Sequence, residues 1–159
     1  MKTIRPTAFT SLALTGLVLS GCATLGPAFK PEQYSPGDKG TVYIYRESKM
    51  IGGAVSYTVH ANGMPLAKLS SGSYFVYHAA PGEVEFSAQT EAKTSVTVDV
   101  KAGEVYYVKG SVGMGVFVGY PHLLLVSSGV GEKEIVECKL VPGAPSDAAA
   151  VAAADRRQK

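Results

Sequence analysis

Residues 40–141 of this 159-residue sequence predict an all-β domain: a single antiparallel β-sandwich of about eight or nine short strands. Three observations carry the prediction. Short runs rich in Val, Ile, Thr and Tyr alternate apolar with polar residues. Gly, Pro and Asn-Gly signals punctuate those runs at regular intervals. No stretch before Gly143 shows the apolar period of a helix.

The first strand is Thr41–Arg46, with Val42 and Ile44 on one face and Tyr43 and Tyr45 on the other. Val55, Tyr57 and Val59 alternate with Ser56, Thr58 and His60 in the second. Asn62-Gly63 then forms a hairpin turn, because both residues tolerate positive φ. Met64–Leu69 is the returning strand, and Pro65, which has no N–H to donate, puts it at an edge or a bulge. After the Ser70–Gly72 turn, Ser73–Ala79 runs extended until Pro81-Gly82 breaks it. Val84, Phe86 and Ala88 alternate with Glu83, Glu85 and Ser87, and Val96, Val98 and Val100 with Ser95, Thr97 and Asp99. Ala102-Gly103 turns the chain into Glu104–Lys109, apolar on both faces. Val116–Val118, Leu123–Val126 and Glu134–Leu140 complete the set. In the last of these, Val136, Cys138 and Leu140 alternate with Glu137 and Lys139, so Cys138 is expected to be a buried thiol.

Residues 1–21 read as a cleaved export signal. Lys2 and Arg5 make a positive start, Ala8–Ser20 is an uncharged run too short to span a bilayer, and the run ends in Leu19-Ser20-Gly21-Cys22. That ending fits a bacterial lipoprotein box. Cleavage between Gly21 and Cys22 leaves a cysteine that carries a diacylglycerol on sulfur and a further acyl chain on its amine. Two or three chains, at about 0.8 kcal/mol per buried CH2, make a stable anchor. Ala23 follows where inner-membrane retention favours Asp, which points to the outer membrane, facing the periplasm. Residues 22–39 then form a Pro/Gly-rich tether, whose 17 residues after the cysteine reach about 50–60 Å when extended. Within it, Phe29 or Tyr34 is expected to dock on the domain. Residues 142–159 are an Ala-rich tail, either disordered or a short helix.

Charge excludes one class of partner. The formal +2 of the chain comes from Lys2 and Arg5, and without them 13 basic side chains face 13 acidic ones. No basic stripe exists to neutralise phosphates, so nucleic acid is not expected as a partner.

Nor does any constellation point to a reaction. The glycine-rich stretch Gly110–Gly119 has the wrong spacing for a nucleotide loop and no helix behind it. His60, His78 and His122 lie on separate strands, so no metal site is expected. No nucleophile elbow or carboxylate pair is legible, and the chain is read as no enzyme, with no cofactor beyond the acyl groups on Cys22. Two places remain as partner surfaces. One is the glycine-rich loop, through Gly110, Gly113, Met114, Gly115 and Phe117. The other is the tyrosine row, through Tyr43 and Tyr45, whose alternative use is filling the core with the hydroxyls at its rim.

The runs Val42-Tyr43-Ile44-Tyr45-Arg46, Gly53-Ala54-Val55-Ser56-Tyr57, Gly72-Ser73-Tyr74-Phe75, Ala102-Gly103-Glu104-Val105-Tyr106-Tyr107-Val108 and Gly113-Met114-Gly115 resemble a family of bacterial lipoproteins. Its shared region is known as a domain of unknown function, number 2846, and the similarity covers residues 40–140. Gly72–Phe86 is also similar, more locally, to PEGA-type β-sandwich repeats. The resemblance implies an all-β domain on a lipid tether in a Gram-negative envelope and supplies no catalytic residues. It leaves the function open, and the residues are read as those of a binding or structural accessory that contacts envelope proteins or peptidoglycan, or alternatively of a receptor for a small ligand or glycan.

Overall fold

A computed structural model describes residues 26–31, 37–116 and 119–141. The expected signal (1–21), Cys22, Tyr34, Phe117 and the expected tail (142–159) lie outside the described residues. Nine strands and one helix follow in order: β1 Gly40–Arg46, β2 Tyr57–Ala61, β3 Met64–Leu69, β4 Ser73–Ala79, β5 Gly82–Gln89, β6 Lys93–Val100, β7 Val105–Gly113, β8 Tyr120–Val126, α1 Ser128–Ile135 and β9 Lys139–Leu140. They form two sheets, ordered β8-β7-β1-β4-β9 and β3-β2-β5-β6, which is the expected β-sandwich.

Alternation builds the core between the sheets. Val42 and Ile44 of β1, Phe75 of β4 and Val108 of β7 face Tyr57, Val59, Phe86, Val98 and Val100 of the second sheet. Side chains two apart on a strand share a face, so each run contributes its apolar half inward. On the second sheet, Glu83, Glu85, Thr97 and Asp99 point to solvent. The β2–β3 hairpin turns through Asn62 at φ 47° and Gly63 at φ 79°, the positive pair that such a two-residue turn requires. β3 is an edge strand, and the register of its pairing with β2 shifts between Val59 and His60, opposite Pro65.

The first sheet is mixed, not purely antiparallel. Thr41–Tyr45 runs parallel to Val105–Lys109, and β4 runs parallel to β9. β1 therefore lies centrally, with Tyr43 aligned to Tyr107 on one side and Val76 on the other.

The outer face of that sheet carries a second core that the strand pattern did not suggest. Tyr43, Tyr45, Tyr74 and Tyr107 are covered there by Ile135 and Cys138, with Phe29 against them. The predicted strand Glu134–Leu140 is mostly something else: α1 ends at Ile135, a turn follows, and only Lys139–Leu140 is extended. Cys138 is buried as expected, whereas Val136, assigned to the same face, is exposed. The predicted strand Val116–Val118 also fails at its start, since Val116 sits in an exposed loop.

The tether is partly structured too. Ala28 bridges Lys139, the amides of Gly26 and Phe29 donate to the carbonyls of Leu140 and Cys138, and Leu140 N–H donates to Pro27. Phe29 meets Tyr43 and Tyr74 edge-on at centroid distances of 5.3 and 5.2 Å, which fulfils its expected docking.

Candidate functional site

Four connections meet at one end of the sandwich, because β1 and β7 finish there while β2, β4, β6 and β8 begin there. They are residues 47–56, 70–72, 90–92 and 114–119, and side chains tie the first to the second and the third to the fourth. Lys49 N–H donates to Ser71 Oγ at 3.2 Å, Thr90 Oγ1 donates to the Gly119 carbonyl at 2.6 Å, and Val116 N–H donates to Glu91 Oε2 at 3.1 Å.

Arg46 shapes the longest of them. As the last residue of β1 it shares the inward face of Val42 and Ile44, and it is only 2% exposed. Its guanidinium donates to the carbonyls of Val55 at 2.7 Å and Gly52 at 2.6 Å and lies 5.7 Å from the Tyr57 ring centroid. Burial lowers its pKa, an effect that the Tyr57 hydroxyl opposes. The same burial pushes Tyr57 up to about 12. Two fixed carbonyls hold residues 47–56 in a folded loop laid over β7, where Gly52 abuts Val112. At its tip Met50 and Ile51 are 99% and 74% exposed. Met114 and Val116, on the neighbouring loop, are 83% and 85% exposed. These four side chains, all on loops at one end, are the most exposed large hydrophobic residues among those described.

Beside this tip lies an ionic cluster. Lys109 Nζ sits 2.7 Å from both Glu47 Oε2 and Glu134 Oε1, and Tyr45 donates its hydroxyl to Glu134 Oε2 at 2.5 Å. Burial acts to lower the Lys109 pKa, but the two carboxylates outweigh it and the pKa is raised. Glu134 moves down, held first by Lys109 and then by Tyr45. Burial and the bond to Glu134 drive the Tyr45 hydroxyl far above its ordinary value. The raised Lys109 and the lowered Glu134 both favour their charged forms. The cluster clamps α1 and the residue 47–56 loop to the first sheet.

Two small cavities flank Glu47. One, about 160 Å³, is lined by Arg46, Lys109 and Val112 among others, and the other, about 220 Å³, by Lys133, Glu134 and Cys138. Both fall short of the roughly 300–1,000 Å³ typical of small-molecule sites.

Several expected surface residues are not on the surface. Tyr43 and Tyr45 are buried, because β1 is central and α1 and Phe29 cover its outer face. Gly110 is buried as well. A Cβ there would strike the Tyr57 hydroxyl and Leu69, so the glycine serves close packing between the sheets. Gly113 is half-buried against Tyr120 and His122, whereas Met114 and Gly115 are exposed as expected. Met50 and Ile51 escaped the sequence reading; the only signal was two adjacent apolar residues between Lys49 and Gly52-Gly53.

Among the described residues no group of three His, Cys, Asp or Glu side chains converges as a metal site, and no helix is long and apolar enough to cross a membrane. A Haemophilus influenzae protein described as "uncharacterized protein" is 29% identical over 133 residues, covering 79% of each chain. No solved structure matches the chain. The family described as "Protein of unknown function (DUF2846)" matches residues 36–120, more than half of the sequence and most of both sheets, and the chain belongs to it.

Proposed function

We propose that the protein is a lipid-anchored envelope lipoprotein whose β-sandwich acts as a non-catalytic binding or structural accessory on the periplasmic face of the outer membrane. One observation carries the anchor: Leu19-Ser20-Gly21-Cys22 closes a charged-then-apolar N-terminus of signal length, directly ahead of a folded body whose first described residue is Gly26. The accessory role is supported by the grouping of Met50, Ile51, Met114 and Val116 at one end, beside cavities too small for a substrate of ordinary size. Envelope proteins and peptidoglycan are the partners this reading favours over a small ligand. The polar outer face of the second sheet, with Glu83, Glu85, Thr97 and Asp99, is the surface open to them.

Cys22→Ala tests the anchor. The variant is expected to accumulate as uncleaved precursor, to take up no labelled palmitate and to leave the outer-membrane fraction. Normal cleavage and labelling of that variant would overturn the reading. In-cell crosslinking followed by mass spectrometry tests the accessory role, which predicts capture of one dominant envelope protein or peptidoglycan fragment.

A further inference from the structure

We infer that the Met50–Ile51 tip, with Met114 on a second loop at the same end, rests in the lipid bilayer and fixes the orientation of the domain on the membrane. The inference builds on the proposed anchor at Cys22 and adds the surface that faces the lipid.

The length of the lead decides how far the body can stand off. Gly26 is held to β9 through Leu140, and Leu140 aligns with Tyr74, the second residue of β4. β4 starts at the end where the four loops gather. Cys22 lies four residues before Gly26, so at roughly 3.3–3.6 Å per residue the anchor stays within about 14 Å of that level. The reach of the whole tether is not available, because Gly26–Phe29 is already docked. A domain of this size has a radius of gyration near 13 Å. So short a lead presses some face of it against the headgroups.

The two ends of the sandwich differ in what they would present. The far end carries the turns at Asn62-Gly63, Ala80-Pro81 and Lys101–Glu104, and its exposed large apolar residues, Met64 and Val105, are only 39% and 41% exposed. The loop end carries Met50, Ile51, Met114 and Val116, all more than 70% exposed. Lys49 adjoins the tip, its ammonium 3.5 Å from Glu47 Oε2, and a lysine stem there can lie along an apolar boundary with the charge in the headgroups. Exposed, flexible side chains such as methionine suit a deformable apolar medium. Arg46 braces the loop through the Val55 and Gly52 carbonyls, and bracing of that kind reduces the ordering cost of insertion.

The chain has no tryptophan, so one introduced residue reports on its own surroundings. Ile51→Trp, Leu124→Trp and Lys101→Trp place that reporter at the tip, on the exposed side of β8 and at the far end. Each chain, starting at Cys22, is coupled through that thiol to a maleimide lipid in phosphatidylethanolamine–phosphatidylglycerol vesicles containing doxyl-labelled lipid. The expected result is a blue shift and loss of most of the emission at position 51, with positions 101 and 124 unquenched. Quenching at 124 or 101 in place of 51, or at none of the three with the fold intact by circular dichroism, overturns the inference. Because the coupling is chemical, this result is independent of whether cells acylate Cys22, which the palmitate label reads separately.

Discussion

The hydroxyl of Tyr45 donates to Glu134 Oε2 at 2.5 Å, joining the central strand of the first sheet to the helix that covers it. Lys109 binds the other oxygen of the same carboxylate. Glu134 titrates below its ordinary 4.5 in the fold, so its stabilisation is present in full above that value. It is lost as pH falls through 4.5 and on through the depressed folded pKa. Lys109 behaves oppositely: its raised pKa gives stability that is complete below 10.5 and is lost as pH rises beyond it. Glu134→Gln should cost about 1–2 kcal/mol at neutral pH. It should also flatten the acid limb of the stability profile, read as urea midpoints from neutral pH to below 4.5. An acid limb as steep as that of the wild type would show that other carboxylates set it.

Arg46 is a buried cation with backbone carbonyls for its two partners. Arg46→Met keeps the apolar stem and strands both acceptors. About 2–4 kcal/mol of stability should go, and with it roughly 4–8 °C of melting temperature per kcal/mol. The loop should loosen first, so the Val55 amide, bonded to Gly52 at 3.0 Å, is expected to exchange faster than the β1 ladder. Uniform acceleration across the domain would instead make Arg46 a global support.

Phe29 closes the outer aromatic cluster over Tyr43 and Tyr74. Edge-on aromatic pairs contribute about 0.5–1.5 kcal/mol each beyond area burial. In Phe29→Ala the segment around Gly26–Pro31 should become open to limited proteolysis while the sandwich resists. Unchanged cleavage would assign the docking to the backbone bonds with β9 alone.

The strands were legible because each is local: a period of two, a turn residue at each end, and Pro65 marking the bulged edge. Met64–Leu69 and Ser73–Ala79 coincide with the observed bounds. Pairing between distant segments was not legible. Nothing in Thr41–Tyr45 states that it lies parallel to Val105–Lys109, nor that α1 and Phe29 cover the outer face of its sheet and bury the tyrosine row. The helix was hidden for a related reason. Ser128–Ile135 holds two glycines, Gly129 and Gly131, and Ser127 makes no side-chain cap. Its intrinsic propensity is poor, and packing on Tyr107 with the clamp at Glu134 stabilises it. Of the candidate surface, only Met114 and Gly115 could be read from the glycine-rich loop. Met50 and Ile51 gained meaning once Arg46 was seen to fold their loop.

Cys138 should be chemically silent in the folded protein. It is 1% exposed, its thiol donates to the Arg46 carbonyl at 3.5 Å, and burial, reinforced by Glu47, pushes its pKa up to about 11. A thiolate is the reactive species, so little is available near neutral pH. The thiol reagent DTNB is expected to modify Cys138 at the rate of global unfolding and to speed up with denaturant. Rapid modification without denaturant would mean that α1 opens locally.

The two glycines of α1 set propensity against packing within one turn of helix. Alanine is favoured over glycine in a helix by about 1 kcal/mol. At Gly129 a Cβ meets nothing within 4 Å, so Gly129→Ala should stabilise the protein by about 0.5–1 kcal/mol. At Gly131 the same Cβ falls on Cγ, Cβ and Cδ1 of Tyr107, atoms at the root of a buried ring that cannot swing away. Overpacking of that kind costs about 1–3 kcal/mol, which exceeds the propensity gain. Gly131→Ala should therefore destabilise, with α1 lifted from the sheet and faster modification of Cys138 beneath it. Opposite signs for the two variants in denaturant midpoints would show that close approach to Tyr107, and not helix propensity, holds α1 in place. Equal stabilisation by both would mean that the helix has room to shift over the sheet.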